Sequence, residues 1–451
     1  MTGRVPEHVA EALRRLGPCG DGWVAFSGGT DSTALLHAAA TRADHPPGTL
    51  RAIHIDHGLH PDSLGWAEHC RRICDALGVP LVVRRLNLKP IHGASLEATA
   101  REARYCALAD VLRPGDLMLT AHNQDDQAET LLLALLRGSG VHGLAAMPRE
   151  AGLGRGRLVR PLLDVPRAVL EQYVRSFGLS WIEDPSNASL LMDRNYLRNS
   201  VLPLLRLRWP GLSVTLARSA GHCAEAAQLV DGVAAELLEA CAGGHPGTLG
   251  IRALGSLELP HRKAILRLWL RRRGFVLPDT RHLARILDEV LPARADADPL
   301  VAWSGCEVRR YRDDLFALAP LPPPPGASRI PRAPGGMPPV LELPAGLGWL
   351  QWEDVSDGSE PAPTVRFGAT GQSCRPSLMS RRRTLKNLFQ EAGIPRWLRP
   401  YVPLVFSGDI LIAVAGVCGC RDASRGPATS DVPQWRGHPW EDLALFRNRA
   451  E

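Results

Sequence analysis

A chain of 451 residues is longer than one hydrophobic core usually supports, so two or three domains are expected. Hydrophobic residues make up 45% and charged residues 22%, no run of eighteen apolar residues exists, and the first twenty residues mix Arg4, Glu7, Glu11, Arg14 and Arg15. These features exclude a membrane span and a signal peptide as expectations and point to a cytoplasmic protein. A net charge of +6 is weak evidence for nucleic acid by itself, and ten scattered cysteines form no small-domain framework, so free thiols are expected.

In chain order, Trp23–Phe26 reads as a buried strand and Thr33–Ala40 as a helix. Ala52–Ile55 is a second strand, followed by a helix over about Gly65–Leu77, and Leu81–Val83 is a third strand. Ser95–Leu112 reads as a long helix capped by Ser95, with Glu97 and Glu102 near its start. Leu117–Thr120 and Gln124–Leu136 are a fourth strand and its helix. This alternation predicts a doubly wound α/β domain, a parallel sheet covered on both faces with ligands at the carboxyl ends of its strands. From about Leu212 to Glu289 the pattern is helical, with a hairpin expected over Val301–Ala317. Residues 321–339 are proline-rich and read as a linker; a strand-like run follows at Asp409–Val414. The expected division is 1–211 catalytic, 212–320 middle and mostly helical, 321–339 linker, and 340–451 a small α+β domain.

Ser27-Gly28-Gly29-Thr30-Asp31-Ser32 lies between the first strand and the first helix, where loop amides and the positive helix end both face an anion. The glycines allow close backbone approach, and the hydroxyls of Ser27, Thr30 and Ser32 can donate. No Lys follows the glycines, which excludes a Walker loop, and the third glycine of a dinucleotide fingerprint is missing. Asp31 beside a phosphate calls for a cation, and Mg²⁺ bridging it to a triphosphate is the expectation. The loop resembles the pyrophosphate loop of N-type ATP pyrophosphatases, which implies ATP cleaved between its α and β phosphates.

Three further segments choose within that superfamily: Ile55-Asp56-His57-Gly58-Leu59; Ala121-His122-Asn123-Gln124-Asp125-Asp126-Gln127-Ala128-Glu129-Thr130; and Trp181-Ile182-Glu183-Asp184-Pro185-Ser186-Asn187 with Arg194-Asn195-Tyr196-Leu197-Arg198. Taken alone, Asp126 and Glu129 share a face at i, i+3, and they suit an ammonium group, Mg²⁺ or the start of the helix dipole. His122 stands at a strand end. Arg101 and Arg104 lie on one helix, Arg194 and Arg198 at i, i+4 on another, and each can pair with phosphate or carboxylate or serve as a surface salt bridge.

Together the segments, from about Val24 to Leu205, resemble the tRNA(Ile)-lysidine synthases. A second matching run is Arg382 to Pro395. Ala121, Asn123 and His60 depart from the residues often seen at their positions. The resemblance implies a ligase that adenylates the wobble cytidine of tRNA(Ile) with a CAU anticodon and joins free L-lysine to it, switching decoding from AUG to AUA and charging from Met to Ile. It implies ATP contacts from Ser27, Gly28, Gly29, Thr30, Asp31, Ser32, His57, Arg101, Arg104 and His122, with Asp31 on Mg²⁺. Asp126, Glu129 and Arg198 are expected in lysine and carboxylate or phosphate recognition. The resemblance admits a homodimer.

A tRNA surface is expected from seven basic residues against one acidic residue between Arg375 and Arg399, including Arg381, Arg382, Arg383 and Lys386, with Phe389 and Trp397 interleaved for stacking; Arg194 is a further candidate contact. A second basic cluster spans His261 to Arg273. The competing reading is another PP-loop enzyme acting on tRNA, a cytidine thiolase. That chemistry usually needs paired cysteines, and no C-x-x-C pair is present.

Overall fold

The computed structural model describes residues 4–16, 19–41, 48–58, 62–86, 96–294, 297–325, 340–352, 363–368, 371–376, 381–420 and 433–446. The chain forms two compact units, Met1–Leu229 and Val230–Glu451.

In the first unit, helix α1 (Arg4–Leu16) precedes strand β1 (Gly22–Ala25), and helix α2 (Thr30–Thr41) follows it. Then come β2 (Leu50–Asp56), α3 (Ser63–Ala76), β3 (Leu81–Arg85), α4 (Leu96–Asp110), β4 (Leu117–Leu119) and α5 (Gln124–Leu136). Helix α6 (Val141–Leu144), strands β5 (Glu150–Leu153) and β6 (Gly156–Val159), and α7 (Arg167–Ser176) complete the sheet region. The sheet order is β3-β2-β1-β4-β6-β5, parallel except for the edge strand β5. The expected doubly wound sheet is therefore present. Apolar residues of β1 and β4 such as Val24, Leu117 and Leu119 are fully buried, as a strand covered on both faces requires. One core packs Val5, Val9, Leu35 and Leu36 against Leu170 and Val174; a second joins Trp23, Ile53 and Met118 to Leu108 and Leu112.

Strand order runs one way from β1 through β2 to β3, and β4 returns to the other side of β1. That reversal opens a crevice between the loops following β1 and β4. The elements around it were legible in outline, and α5 begins and ends where the sequence reading places it. The Ser95 cap and His60 lie outside the described residues. Beyond α7 the chain forms α8 (Asp193–Tyr196), a π-helical turn over Leu197–Val201 and α9 (Leu202–Arg208). Helix α10 (Leu212–Ala240) follows, so the boundary between the two units falls inside it.

The second unit has two cores. The middle part combines β7 (Leu249–Gly250), α11 (Ile251–Gly255), α12 (Leu259–Arg272) and α13 (Thr280–Arg285) with β8 (Leu300–Trp303), β9 (Cys306–Tyr311) and β10 (Asp314–Leu318). Its antiparallel order is β7-β10-β9-β8. The hairpin expected over Val301–Ala317 is thus a three-stranded meander. Turns at Gly305 (φ +77°) and Arg312 (φ +54°) lie only seven residues apart, close enough to be read as one. Residues 321–325 carry no regular structure, and the rest of the proline-rich segment lies outside the described residues.

The C-terminal part contains β11 (Val340–Glu342), β12 (Trp349–Gln351), β13 (Pro363–Arg366), β14 (Ser373–Cys374), β15 (Arg383–Thr384), α14 (Leu385–Glu391), β16 (Leu404–Ser407), β17 (Ile410–Val414), β18 (Cys418–Gly419) and β19 (Gln434–Arg436). Its sheets are antiparallel, an α+β arrangement as expected. One expectation fails here: Cys374 and Cys420 form a disulfide rather than two free thiols. They lie 46 residues apart, and no local spacing reveals such a pair.

Candidate functional site

The turn after β1 leaves strand geometry at Gly28, whose φ of +83° disfavours any side chain. A Cβ there would also stand 2.5 Å from Ile182 Cδ1 and 3.0 Å from Cys70 Sγ. The Ile182 amide donates to the Gly28 carbonyl at 2.8 Å, which ties the Trp181–Asn187 segment to the loop at Ile182. Ser27 and Ser32 hydroxyls lie 3.0 Å apart, and Ser32 Oγ donates to the Gly29 carbonyl at 3.0 Å. Gly29 has ordinary room for a Cβ, 3.5 Å from Ser27 Oγ. Thr30 and Asp31 open α2, whose first-turn amides, as at any helix start, have no carbonyl partner within the helix.

Asp31 is mostly buried. Its Oδ2 accepts from Asn123 Nδ2 at 3.0 Å, while its buried Oδ1 takes no hydrogen bond. Burial, opposed by Arg167 and reinforced by Asp126, pushes its carboxyl up to about 6. An orphaned, buried carboxylate oxygen beside a phosphate loop fits a divalent cation.

Asn123 is the residue the sequence reading missed. Its side chain caps α5, accepting from the amides of Asp125 and Asp126 at 3.0 and 3.1 Å, and its own amide donates to Asp126 Oδ2 at 3.0 Å. The capping box joins the α5 start to Asp31. The signal was legible as Asn followed three residues later by Asp; what the Nδ2 reaches was not.

Asp126 and Glu129 do share a face of α5, but neither stands free. Glu129, 1% exposed, accepts Arg194 Nε at 2.7 Å and Arg198 Nε and Nη2 at 2.6 and 2.8 Å. Asp126 Oδ1 accepts Arg194 Nη2 at 3.2 Å and Arg198 Nη2 at 2.9 Å. Two carboxylates and two guanidiniums therefore form a neutral quartet. Burial alone would lower the Arg198 pKa, but hydrogen bonds and charge from Glu129, with Asp126 and Asp31 adding, raise it. The Arg194 and Arg198 side chains, 25% and 26% exposed, are more accessible than Asp126 at 12% and Glu129 at 1%.

His122 receives or donates one hydrogen bond, Thr120 Oγ1 to Nδ1 at 2.9 Å. Burial, then Arg160, Arg194, Arg104 and Arg101, pushes its pKa down to about 3, so it is a neutral imidazole at physiological pH. His57 follows β2; its Nδ1 is buried without a partner, and burial, then Arg104, lowers its pKa. Arg101 and Arg104 place their guanidiniums 5.3 and 5.5 Å from the Tyr105 ring. Arg101 is exposed, and Arg104 has a buried Nε with no hydrogen bond and a pKa lowered by burial. The loop, the quartet, His57, His122 and these arginines thus meet at the carboxyl ends of β1, β2 and β4.

Two other residues of the α5 motif anchor rather than line the site. Asp125 accepts from the Arg167 amide at 2.9 Å and from Ser213 Oγ at 2.8 Å, and pairs with Arg206. Gln127 exchanges two 2.9 Å hydrogen bonds with the Met147 backbone.

In the C-terminal part, Arg381, Arg382 and Lys386 are exposed around β15 and the start of α14. Arg383 is half-buried, 3.6 Å from Glu391. The interleaved aromatics are not a stacking platform. Trp397 and Phe389 are buried, and Trp397 packs edge-on against Phe316 and Tyr311 under the Arg309 guanidinium. Of the middle cluster, Arg262 donates to the Leu257 and Gly255 carbonyls and Arg271 pairs with Asp231 at 2.6 Å.

Residues 11–205 match the PP-loop domain family, residues 249–316 the TilS substrate binding domain, and residues 364–435 the TilS substrate C-terminal domain. The chain is 41% identical over 424 residues to the tRNA(Ile)-lysidine synthase of Coxiella burnetii, covering 92% of this chain and 93% of that one. It is 43% identical over 401 residues to the enzyme of that name from Shigella flexneri, covering 87% and 91%. Among solved structures it resembles a U34-tRNA thiolase, NcsA, from Methanococcus maripaludis with its 4Fe–4S cluster, at 18% identity and a TM-score of 0.44 over 49% of this chain and 78% of that one. A likeness that distant does not bear on activity.

Proposed function

Because the chain belongs to the tRNA(Ile)-lysidine synthases, ligases that form a carbon–nitrogen bond, we propose that its first unit adenylates the wobble cytidine of tRNA(Ile) with a CAU anticodon and then joins lysine to carbon 2. The observation that carries the reading is the convergence of the glycine loop, Asp31 and the Asp126–Glu129–Arg194–Arg198 quartet at one sheet reversal.

The cytidine 2-oxo group attacks the α-phosphate of ATP, and pyrophosphate leaves into the loop formed by Ser27, Gly28, Gly29, Thr30 and Ser32. Arg101 and Arg104 offer forked donors to the phosphates, and neutral His122 and His57 offer hydrogen bonds without adding charge. Asp31 would hold Mg²⁺, which supplies charge neutralisation to the triphosphate. The lysine ε-amine, deprotonated, then attacks carbon 2, and AMP leaves with the former 2-oxo oxygen. A zwitterionic amino-acid head group is complementary to a neutral quartet: its carboxylate suits the partly exposed guanidiniums of Arg194 and Arg198, and its ammonium suits Asp126 beside them. The resulting lysidine would change decoding from AUG to AUA and charging from Met to Ile.

Incubation of the chain with ATP, lysine and tRNA(Ile), followed by mass spectrometry of the tRNA, tests this directly. The expected product gains one lysine less one water at the wobble position. In a parallel incubation with sulfide in place of lysine, exchange of the 2-oxo oxygen for sulfur would favour the thiolase reading instead.

Exposed Arg381, Arg382 and Lys386 serve the tRNA backbone in this reading, and Arg383, turned toward Glu391, serves it less. Replacing the three exposed residues with Ala is expected to weaken tRNA binding and lower its salt slope by about three units or less, with ATP binding unchanged. Wild-type tRNA affinity and slope in a variant with a native circular dichroism spectrum would remove the cluster from tRNA recognition.

A further inference from the structure

The disulfide of the C-terminal part has a third sulfur beside it. Cys374, Cys418 and Cys420 bring their Sγ atoms within 4.8 Å of one another. A disulfide needs two sulfurs, and its formation leaves Cys418 facing the pair. We propose that these three cysteines, once reduced, form a binding site for a single thiophilic divalent cation such as Zn²⁺, and that the Cys374–Cys420 disulfide is the oxidised, metal-free form of the same site.

The backbone brings the three sulfurs together from two chain segments. Cys374 lies on β14, paired to β15 with Arg383 as its register partner. Cys418 lies on β18, opposite Val414 of β17. The Cys420 amide donates to the Ile412 carbonyl at 2.8 Å, and Cys420 bridges to Pro376 just beyond Cys374. In the Cys418-Gly419-Cys420 stretch, residues two apart in extended chain present their side chains to one face. Tetrahedral zinc–thiolate bonds of about 2.3 Å set sulfurs about 3.8 Å apart, so once reduction lets the bonded pair separate, the three Sγ atoms, all within 4.8 Å of one another, need only small shifts to hold one cation. Three protein ligands leave a fourth position for water.

Cys374 is 2% exposed, so a cation held there is shielded from bulk water. Thiols bind such a cation as thiolates, so binding displaces their protons. Reduction takes two electrons and two protons from a dithiol, which becomes its own disulfide, and converts the Cys374–Cys420 bond to two thiols. Binding of M²⁺ then releases the protons of the ligating thiols to solvent.

The test uses the full chain, treated with a dithiol reductant under anaerobic conditions, freed of reductant and titrated with Co²⁺. The expected result is one Co²⁺ per chain with an intense sulfur-to-cobalt charge-transfer band, displaced by Zn²⁺. Cys418→Ser should weaken binding by about a hundredfold or more and Cys374→Ser should abolish it, while Cys106→Ser, at an exposed cysteine, leaves the stoichiometry unchanged. The wild-type titration needs no variant to fold. Absence of the band in the reduced wild-type chain, or a band that survives both Cys418→Ser and Cys374→Ser, overturns the proposal.

Discussion

Asp31→Asn is expected to abolish adenylate formation and, at neutral pH, to make the chain more stable. The Asp31 carboxyl is raised from 3.8 to about 6, burial being the main cause. Its ionised form is therefore disfavoured by folding. Below the unfolded value both states are protonated and the group costs nothing. Between 3.8 and about 6 the unfolded state ionises first, so stability falls as pH rises, and above about 6 the full cost is present. Two pKa units correspond to at most about 3 kcal/mol. Asparagine keeps the size and the acceptor oxygen for Asn123 Nδ2 but carries no charge. Thermal unfolding should show the variant above wild type at neutral pH, with the gap closing below about pH 4. Added Mg²⁺ and ATP should raise the melting temperature of wild type and leave the variant nearly unmoved. A variant that adenylates tRNA normally would remove Asp31 from the cation role, and a variant less stable at neutral pH would show that the buried charge is compensated.

The pattern of successes along the chain has a physical basis. Helix α5 was readable to its last residue because its acidic first turn and its apolar run are both local. The glycine loop was readable because a strand, a turn needing positive φ and a helix follow one another within ten residues. The quartet was only half readable. Asp126 and Glu129 are neighbours by helical spacing, and so are Arg194 and Arg198, but the two pairs meet across 65 to 72 residues. Reading Asp126 and Glu129 as an open acidic pair missed that each already holds two guanidiniums. Trp397 and Phe389 misled for a related reason. Composition identifies aromatics near basic residues, but only packing against Phe316 and Tyr311 decides that Trp397 faces inward.

Glu129→Gln is expected to have a large effect on stability and a selective one on chemistry. The substitution keeps side-chain volume and removes the charge that accepts three guanidinium hydrogen bonds. Two arginines would then share the single carboxylate of Asp126, and each would lose its best partner. Removing one member of a buried ion pair strands the other charge, which costs about 3–5 kcal/mol in a closed site. Arg194 and Arg198 are about one-quarter exposed and recover part of that in water, so about 2–4 kcal/mol is expected here. That corresponds to a melting temperature lower by roughly 5–15 °C. If the quartet receives the lysine head group, the surviving folded enzyme should accumulate adenylated tRNA, with the lysine KM raised far more than the ATP KM. Arg198→Gln added to Glu129→Gln should cost less than the sum of the two single changes, because the second removes the charge stranded by the first. Additive costs would mean that the ion pair is not what holds these residues. Equal losses in adenylation and lysine transfer would assign the quartet to folding alone.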